Sequence, residues 1–369
     1  MLADDTPMVA SRLRLAARFW HTASRFWRSP GAALAWTLTA ALIGCTLLQL
    51  TLQFRLNYWN RDFFDAFGRR DGPALGAQAL LFLGLAGGSI LLTVLTVWAR
   101  MTMQRQWRAW LTRHLIDRWL ARDGQPPLRF PLDFPLGEDR NPAFRIAEDA
   151  RVATDAPVSM AIGLFAALLN VVIFIGILWH VGGDLTLEGF GRALVVPKYL
   201  VITVLLYSAV LTFAMTLIGR PMVPAMAAKN AAEAQFRAVA SRLSEDAEPG
   251  GDTIAPHRAV TEAFAAVIDR WRALCREFMR ITVVVHGNSL LAPIVGWILC
   301  APRYLDGSLS LGEAAQAVGA FVTVQAALNW LVENYGAVAE CLSSVNRVGL
   351  LLLALDKAGG ESGMRDGPL

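Results

Sequence analysis

Five glutamates lie at or beyond the ends of long apolar segments, where a carboxylate could exchange protons. They are Glu148, Glu233, Glu245, Glu333 and Glu340. A carboxylate changes protonation near neutral pH only where burial or a neighbouring acid raises its pKa. Glu340 follows Glu333 by seven residues, so the two share a face if one helix carries both. Each glutamate could instead be a solvated charge or the partner of an arginine such as Arg145 or Arg237.

Aromatic residues crowd the segment 55–74, which separates the first two apolar stretches. Tyr58, Trp59, Phe63 and Phe64 occur there, and Trp59 and Phe63 are spaced for one helical face. We interpret the segment as an outward continuation of the first apolar helix. The four aromatics could then gate an outer mouth. They could equally pack helices between protomers or belong to the aromatic belt of a membrane interface.

Signatures of catalysis, cofactor binding and metal binding are missing from the sequence. It has no GxxxxGK[ST] phosphate loop, no GxSxG nucleophile elbow and no HExxH zinc helix. The five histidines never pair at metal-ligand spacing, and the four cysteines show no CxxC pattern. We therefore expect no enzyme, no cofactor and no metal. A net charge of +4 could suggest a nucleic acid partner, but the distribution of Lys and Arg explains it better as a signature of membrane orientation.

Six windows contain no Asp, Glu, Lys or Arg, and each has the length of a membrane span. They are 31–54, 75–99, 156–179, 199–219, 281–301 and 314–332. A helix rises about 1.5 Å per residue, so about 20 residues cross a hydrocarbon core of about 30 Å. The windows predict an all-α integral membrane protein with six transmembrane helices.

The basic residues predict the orientation of these helices. Of the 34 Lys and Arg, 27 lie in the first, third, fifth and seventh segments outside the windows, and 7 lie in the other three. Positively charged segments stay in the cytoplasm. We therefore expect both termini, residues 100–155 and residues 220–280 to be cytoplasmic.

Amphipathic stretches adjoin several windows and predict helical extensions. Residues 1–30 mix arginines with aromatic pairs, which is typical of an elbow helix lying in the membrane interface. Apolar residues at spacing four carry the second helix on to about Gly124, and residues 224–247 and 256–280 form a second cytoplasmic hairpin. We expect a loop at 128–142, a six-helix domain over 31–354 and a disordered tail over 355–369.

Several strings in collinear order resemble the transmembrane domain of type IV ABC exporters, in the branch that holds fused permease–ATPase exporters and SbmA/BacA-like peptide transporters. The first reads Asn57-Tyr58-Trp59-Asn60-Arg61-Asp62-Phe63-Phe64-Asp65-Ala66, and another reads Asn141-Pro142-x-x-Arg145-Ile146-x-Glu148-Asp149. Further similar strings lie within 107–111, 229–248, 301–312 and 328–340.

The resemblance implies a homodimeric transporter in the bacterial inner membrane, with six spans and long cytoplasmic helices in each protomer. It implies peptides or peptide-like antibiotics as cargo. It also places Glu148, Glu233 and Glu245 where such transporters have an acidic inward chamber. Because the sequence continues only briefly after the sixth window, we expect no ATPase domain and a proton gradient as the driving force.

Two other functions fit the same sequence. The chain could be a permease subunit that pairs with a separate ATPase, whose grooves would receive the hairpin tips Gly124–Pro135 and Pro249–Pro256. It could also be a non-transporting membrane scaffold or an immunity protein that keeps the fold without the acidic cavity.

Overall fold

A computed structural model describes residues 6–29, 31–120, 143, 145–189, 192–245 and 254–362. The helices are α1 Thr6–Ala23, α2 Ala32–Gly68, α3 Gly72–Leu120, α4 Ala150–Gly182, α5 Tyr199–Gly219, α6 Met222–Glu245, α7 Ile254–Leu305, α8 Leu311–Glu333 and α9 Tyr335–Ser362. A 3-10 helix, Ser24–Arg28, follows α1, and a π-helical turn, Arg145–Asp149, precedes α4.

Six of these helical segments are long and apolar enough to cross a membrane, and each contains one charge-free window. The all-α membrane fold is thus confirmed. The predicted extensions are confirmed as well, because α2 continues to Gly68, α3 continues to Leu120, and α6 and α7 form the second hairpin. The loop 128–142, the tip Gly124–Pro135 and residues 249–253 of the other tip lie outside the described residues.

Two details differ from the sequence prediction. An antiparallel hairpin of two strands, β1 Asp184–Gly189 and β2 Arg192–Pro197, joins α4 to α5, with Asp184 opposite Pro197. In addition, α9 continues to Ser362, whereas we predict disorder from residue 355. Residues 363–369 lie outside the described part of the chain.

Local capping chemistry explains where the membrane helices begin. Between α2 and α3, Arg70 adopts a left-handed backbone with φ of 58°, and the carboxylate of Asp71 accepts the backbone N–H of Ala74 at 3.1 Å. At the start of α8, the hydroxyl of Ser310 accepts the N–H of Glu313, whose carboxylate accepts the N–H of Ser310, each at 3.0 Å. This reciprocal capping box satisfies donors that a helix start leaves open.

The chain divides into two compact units, of which the first comprises residues 1–172 and 333–369. Its core is a cluster of buried side chains from α1, α3 and α9, including Phe19, Trp107, Leu111 and Leu351. The indole of Trp107 donates to the carbonyl of Ala23 at 3.3 Å. The extension of α3 beyond its charge-free window is therefore packed against the helix at the N-terminus, not surrounded by solvent.

The second unit comprises residues 173–332. Its helices α6 and α7 pack together through Phe236 and Phe264, whose ring centroids lie 5.6 Å apart. Within the spans, the phenol of Tyr207 donates to Asn288 at 3.0 Å, and the hydroxyl of Thr212 donates to Asn329 at 2.8 Å. Such bonds tie neighbouring helices together where no water competes for them.

Candidate functional site

A charged cavity of about 520 Å³ lies in the first unit, beside the extension of α3 beyond its charge-free window. Arg105, Arg108 and Arg113 line it from α3, and Asp155 lines it from α4. Asp155 directly precedes the third charge-free window, so the cavity lies near one end of that span. Gln104 holds the two helices together, since its amide donates to the carbonyl of Asp155 at 2.7 Å and to the hydroxyl of Ser159 at 3.0 Å.

Arg151 interacts with several of the acidic side chains near the cavity. Its guanidinium donates to Glu148 at 2.5 and 3.2 Å and lies 4.0 Å from Asp155. It also attracts the more distant carboxylate of Glu340. Two of the five predicted glutamates, Glu148 and Glu340, therefore surround one arginine. Such a cation favours the ionised form of a carboxylate, which is unfavourable for proton exchange.

Glu233 has a partner of its own in the second unit. The ammonium of Lys229 lies 2.7 Å from its carboxylate, one helical turn away, and also lies 4.9 Å from the ring centre of Trp271. This arrangement is the one expected of a structural ion pair that joins α6 to α7.

The remaining predicted glutamates differ from one another in setting. Glu333 is the last residue of α8, and a break at Asn334 separates it from Glu340 in α9, so the two do not lie on one continuous helix. Both are exposed, and no cation in the described part of the chain lies within ion-pair distance of Glu333. The side chain of Glu245 lies outside the described residues.

The four predicted gate aromatics lie in the C-terminal half of α2. Trp59 stacks on Phe63 with centroids 5.1 Å apart, contacts Phe82 of α3 at 4.8 Å, and donates its indole N–H to the carbonyl of Gln78 at 2.8 Å. Tyr58 packs against Phe54 at 4.8 Å, and Phe64 contacts Phe63 edge-on at 5.7 Å. Trp59 and Phe63 thus join α2 to α3 within one protomer, an arrangement the sequence did not predict.

Asp149 is the site residue that sequence reasoning missed. It is buried, the Nε of Arg347 from α9 donates to it at 2.8 Å, and a terminal nitrogen of the same guanidinium lies 2.7 Å from it. The string 141–149 includes Asp149, but nothing in the sequence indicates its partner. No group of three His, Cys, Asp or Glu in the described ranges is arranged to hold a metal ion.

Sequences of known proteins match this chain along most of its length. Residues 30–305 match the family described as ABC transporter transmembrane region 2. The inner membrane ABC transporter ATP-binding protein YddA of Escherichia coli is 24% identical over 341 residues, covering 90% of this chain and 60% of that protein. ABC transporter D family member 2, chloroplastic, of Arabidopsis thaliana is 24% identical, and the match covers 93% of this chain and 46% of that protein. The chain thus spans about half the length of the curated relatives it matches.

Proposed function

Because this chain belongs to the family of ABC transporter transmembrane regions, we propose that it forms the membrane-spanning half of a homodimeric transporter in the bacterial inner membrane. Both termini would face the cytoplasm, as the distribution of Lys and Arg indicates. As a multi-pass protein of the transporter family, it would act by rearranging its helices around a cargo, and a scaffold or immunity role is the less supported alternative.

ATP hydrolysis is the driving force that we favour, supplied by an ATPase domain that binds the cytoplasmic helices. The main support is the length of α3, α6 and α7, which continue well past their charge-free windows. Helices of that kind can carry the movement of a cytoplasmic ATPase into the membrane. The names of the relatives, which are ABC transporter ATP-binding proteins in bacteria, point the same way.

Peptides or peptide-like antibiotics are the cargo that we propose, as similarity to SbmA/BacA-like transporters suggests. The charged cavity supports this choice. Arg105 and Arg108 offer guanidinium groups that suit a carboxylate, while Asp155 offers an acceptor for an ammonium group. A peptide carries both groups at its termini.

A proton-coupled carrier is the second candidate, and Glu333 favours it. This carboxylate ends the helix of the sixth window and has no described cation beside it, unlike Glu148 and Glu233. An acid in that position can change its protonation as the site opens to one side of the membrane.

Transport by purified protein separates the two driving forces. Proteoliposomes containing the chain would be tested for uptake of a fluorescent peptide, alone under an imposed pH gradient and together with any ATPase subunit that copurifies from the native membrane. The ATP-driven function predicts uptake only with the ATPase and ATP, and a reduction of about tenfold or more in Asp155→Asn. The exposed Glu262→Gln on α7 is the matched control and should transport normally.

The alternatives give different results in the same assay. Uptake by the chain alone under the pH gradient, lost in Glu333→Gln but kept in Glu148→Gln, would replace ATP hydrolysis by proton coupling. Absence of uptake in both conditions, with protein that remains folded, would reject transport of the tested peptide and support the scaffold function.

A further inference from the structure

A second cavity, of about 330 Å³, lies where the 3-10 helix Ser24–Arg28 meets the start of α2 and the extension of α3. We call it the elbow cavity. Its lining includes the apolar side chains of Phe26, Leu34 and Trp110 and the basic side chains of Arg113 and His114. His114 stacks flat against Trp110, with ring centroids 5.5 Å apart and planes 2° from parallel. The cavity thus combines an apolar surface with a guanidinium group.

An adjoining cavity of about 410 Å³ adds positive charge and shares His114 with the first. Arg18, Arg25 and Arg118 line it, and their guanidinium groups lie close enough to repel one another. Asp356 also lines this adjoining cavity, and its carboxylate forms salt bridges with both Arg18 and Arg118.

Arg25 and Arg113 are the cations that remain for a ligand. Both are exposed, and no acid among the described residues lies within ion-pair distance of either. Asp117 also lines the elbow cavity, so the local charge is positive without being uniform. Two unpaired guanidinium groups beside a histidine suit a phosphate group, which accepts several hydrogen bonds at once.

The depth of the elbow cavity places it in the headgroup layer. Leu34 and Trp36 begin the first charge-free window and are exposed, Trp36 by 60% and Leu34 by 47%. Trp20, beside the 3-10 helix, is also exposed. Exposed tryptophans at the end of an apolar helix mark the boundary between lipid and water. The cavity opens at this boundary, on the side predicted to be cytoplasmic.

We propose that the headgroup of an anionic phospholipid binds where the elbow cavity and the adjoining cavity meet at His114, with Arg113 of the first and Arg25 of the second holding the phosphate and the apolar residues of the elbow cavity holding the glycerol region. The lipid connects the N-terminal helices to α3 at the cytoplasmic face of the membrane. This site is independent of the cargo and of the driving force of transport.

Lipid binding to the purified full-length chain tests the site. Native mass spectrometry would measure dissociation constants for phosphatidylglycerol and phosphatidylcholine. We expect tighter binding of phosphatidylglycerol, and roughly 10- to 30-fold weaker binding of it to Arg25→Gln/Arg113→Gln, because two cations near the headgroups are removed. Arg270→Gln/Arg276→Gln removes two exposed cations from α7 and should bind as the native chain does.

Two controls accompany this experiment. A charge-preserving variant separates lipid binding from misfolding, and inorganic phosphate separates lipid binding from binding of a free anion. Arg25→Lys/Arg113→Lys keeps the charge and should bind phosphatidylglycerol within about threefold of the native chain, even where the glutamine variant folds poorly. Equal affinity for the two lipids, or equal weakening in both glutamine variants, would overturn the proposal. Inorganic phosphate that binds without lipid and displaces phosphatidylglycerol at millimolar concentration would assign the site to a soluble phosphate instead.

Discussion

Asp149, which is buried, and Arg347, which is half-buried, form an ion pair between residues that lie 198 positions apart in the sequence. The Nε of Arg347 donates to one carboxylate oxygen of Asp149 at 2.8 Å, and a terminal nitrogen lies 2.7 Å from the same oxygen. The hydroxyl of Ser344 lies 3.4 Å from the same oxygen. The pair fixes the π-helical turn before α4 against α9, which lies beyond the sixth span.

We predict that Arg347→Met destabilises the first unit, because it leaves the carboxylate of Asp149 buried without its main partner. Breaking a buried pair in this way costs about 3 kcal/mol. Thermal unfolding in detergent should show a lower Tm. Asp149→Asn/Arg347→Met should recover little of the loss, because the buried Arg145, whose guanidinium lies 3.9 Å from Asp149, then loses this ion pair. Equal Tm values for Arg347→Met and the exposed Arg276→Gln would contradict the role of the pair.

The close approach of α1 to α9 gives a second prediction. A Cβ at Gly349 would lie 2.7 Å from the carbonyl oxygen of Leu15 and 3.1 Å from its carbon. Gly349→Ala should therefore force α1 away, at a cost of about 1–3 kcal/mol. Hydrogen exchange in α1 should become faster. Gly336→Ala in the same helix meets nothing within 4 Å and should leave that exchange unchanged.

Substitution of Trp59 distinguishes a packing role from a gating role for the aromatic residues in the C-terminal half of α2. Because it contacts Phe82 and donates to Gln78, Trp59→Ala should lower the Tm and cost about 1–3 kcal/mol. Phe67→Ala, which removes a side chain that is 61% exposed on the same helix, should have little effect. A normal Tm in Trp59→Ala together with leakage of solute through proteoliposomes would favour the gate.

Asp306, in the turn between α7 and α8, predicts a local response to acid. The hydroxyl and the backbone N–H of Ser308 donate to its carboxylate and hold the pKa of Asp306 below the ordinary value of 3.8. A carboxyl group whose pKa is lower in the folded state than in the unfolded state stabilises the folded state. This stabilisation is fully present at a pH above the pKa of the unfolded state and is lost as the pH falls through the pKa of the folded state. Ser308→Ala should raise the carboxyl titration midpoint measured by NMR. Ser289→Ala, whose hydroxyl bonds His286, should not move it.

The positions of the spans were predictable because the physics of lipid allows little choice. A charge-free window of membrane length must satisfy its backbone internally, and a helix does so. The extension of α3 was predictable for a related reason. Trp107, Leu111 and Leu115 continue at spacing four, and all three are buried.

Other features depend on contacts that the sequence does not encode locally. The partner of Asp149 comes from a distant helix, and no spacing rule indicates it. Glu148 pairs with Arg151 three residues away, a local spacing that the sequence does contain, whereas we named Arg145 and Arg237 as nearby partners for the acids. The β1–β2 hairpin did carry a signal, since Leu185 and Leu187 alternate with polar residues before Gly189.

The docking of α1 on α9 has a consequence for biosynthesis. Leu15 leaves the ribosome about 330 residues before Gly349, its contact in α9. At about 5–20 residues per second, that interval is on the order of half a minute. All six spans are translated before α1 can meet its partner. During that time α1 can pack only on the extension of α3, through Trp20 and Trp107, and it lacks its contacts with α9.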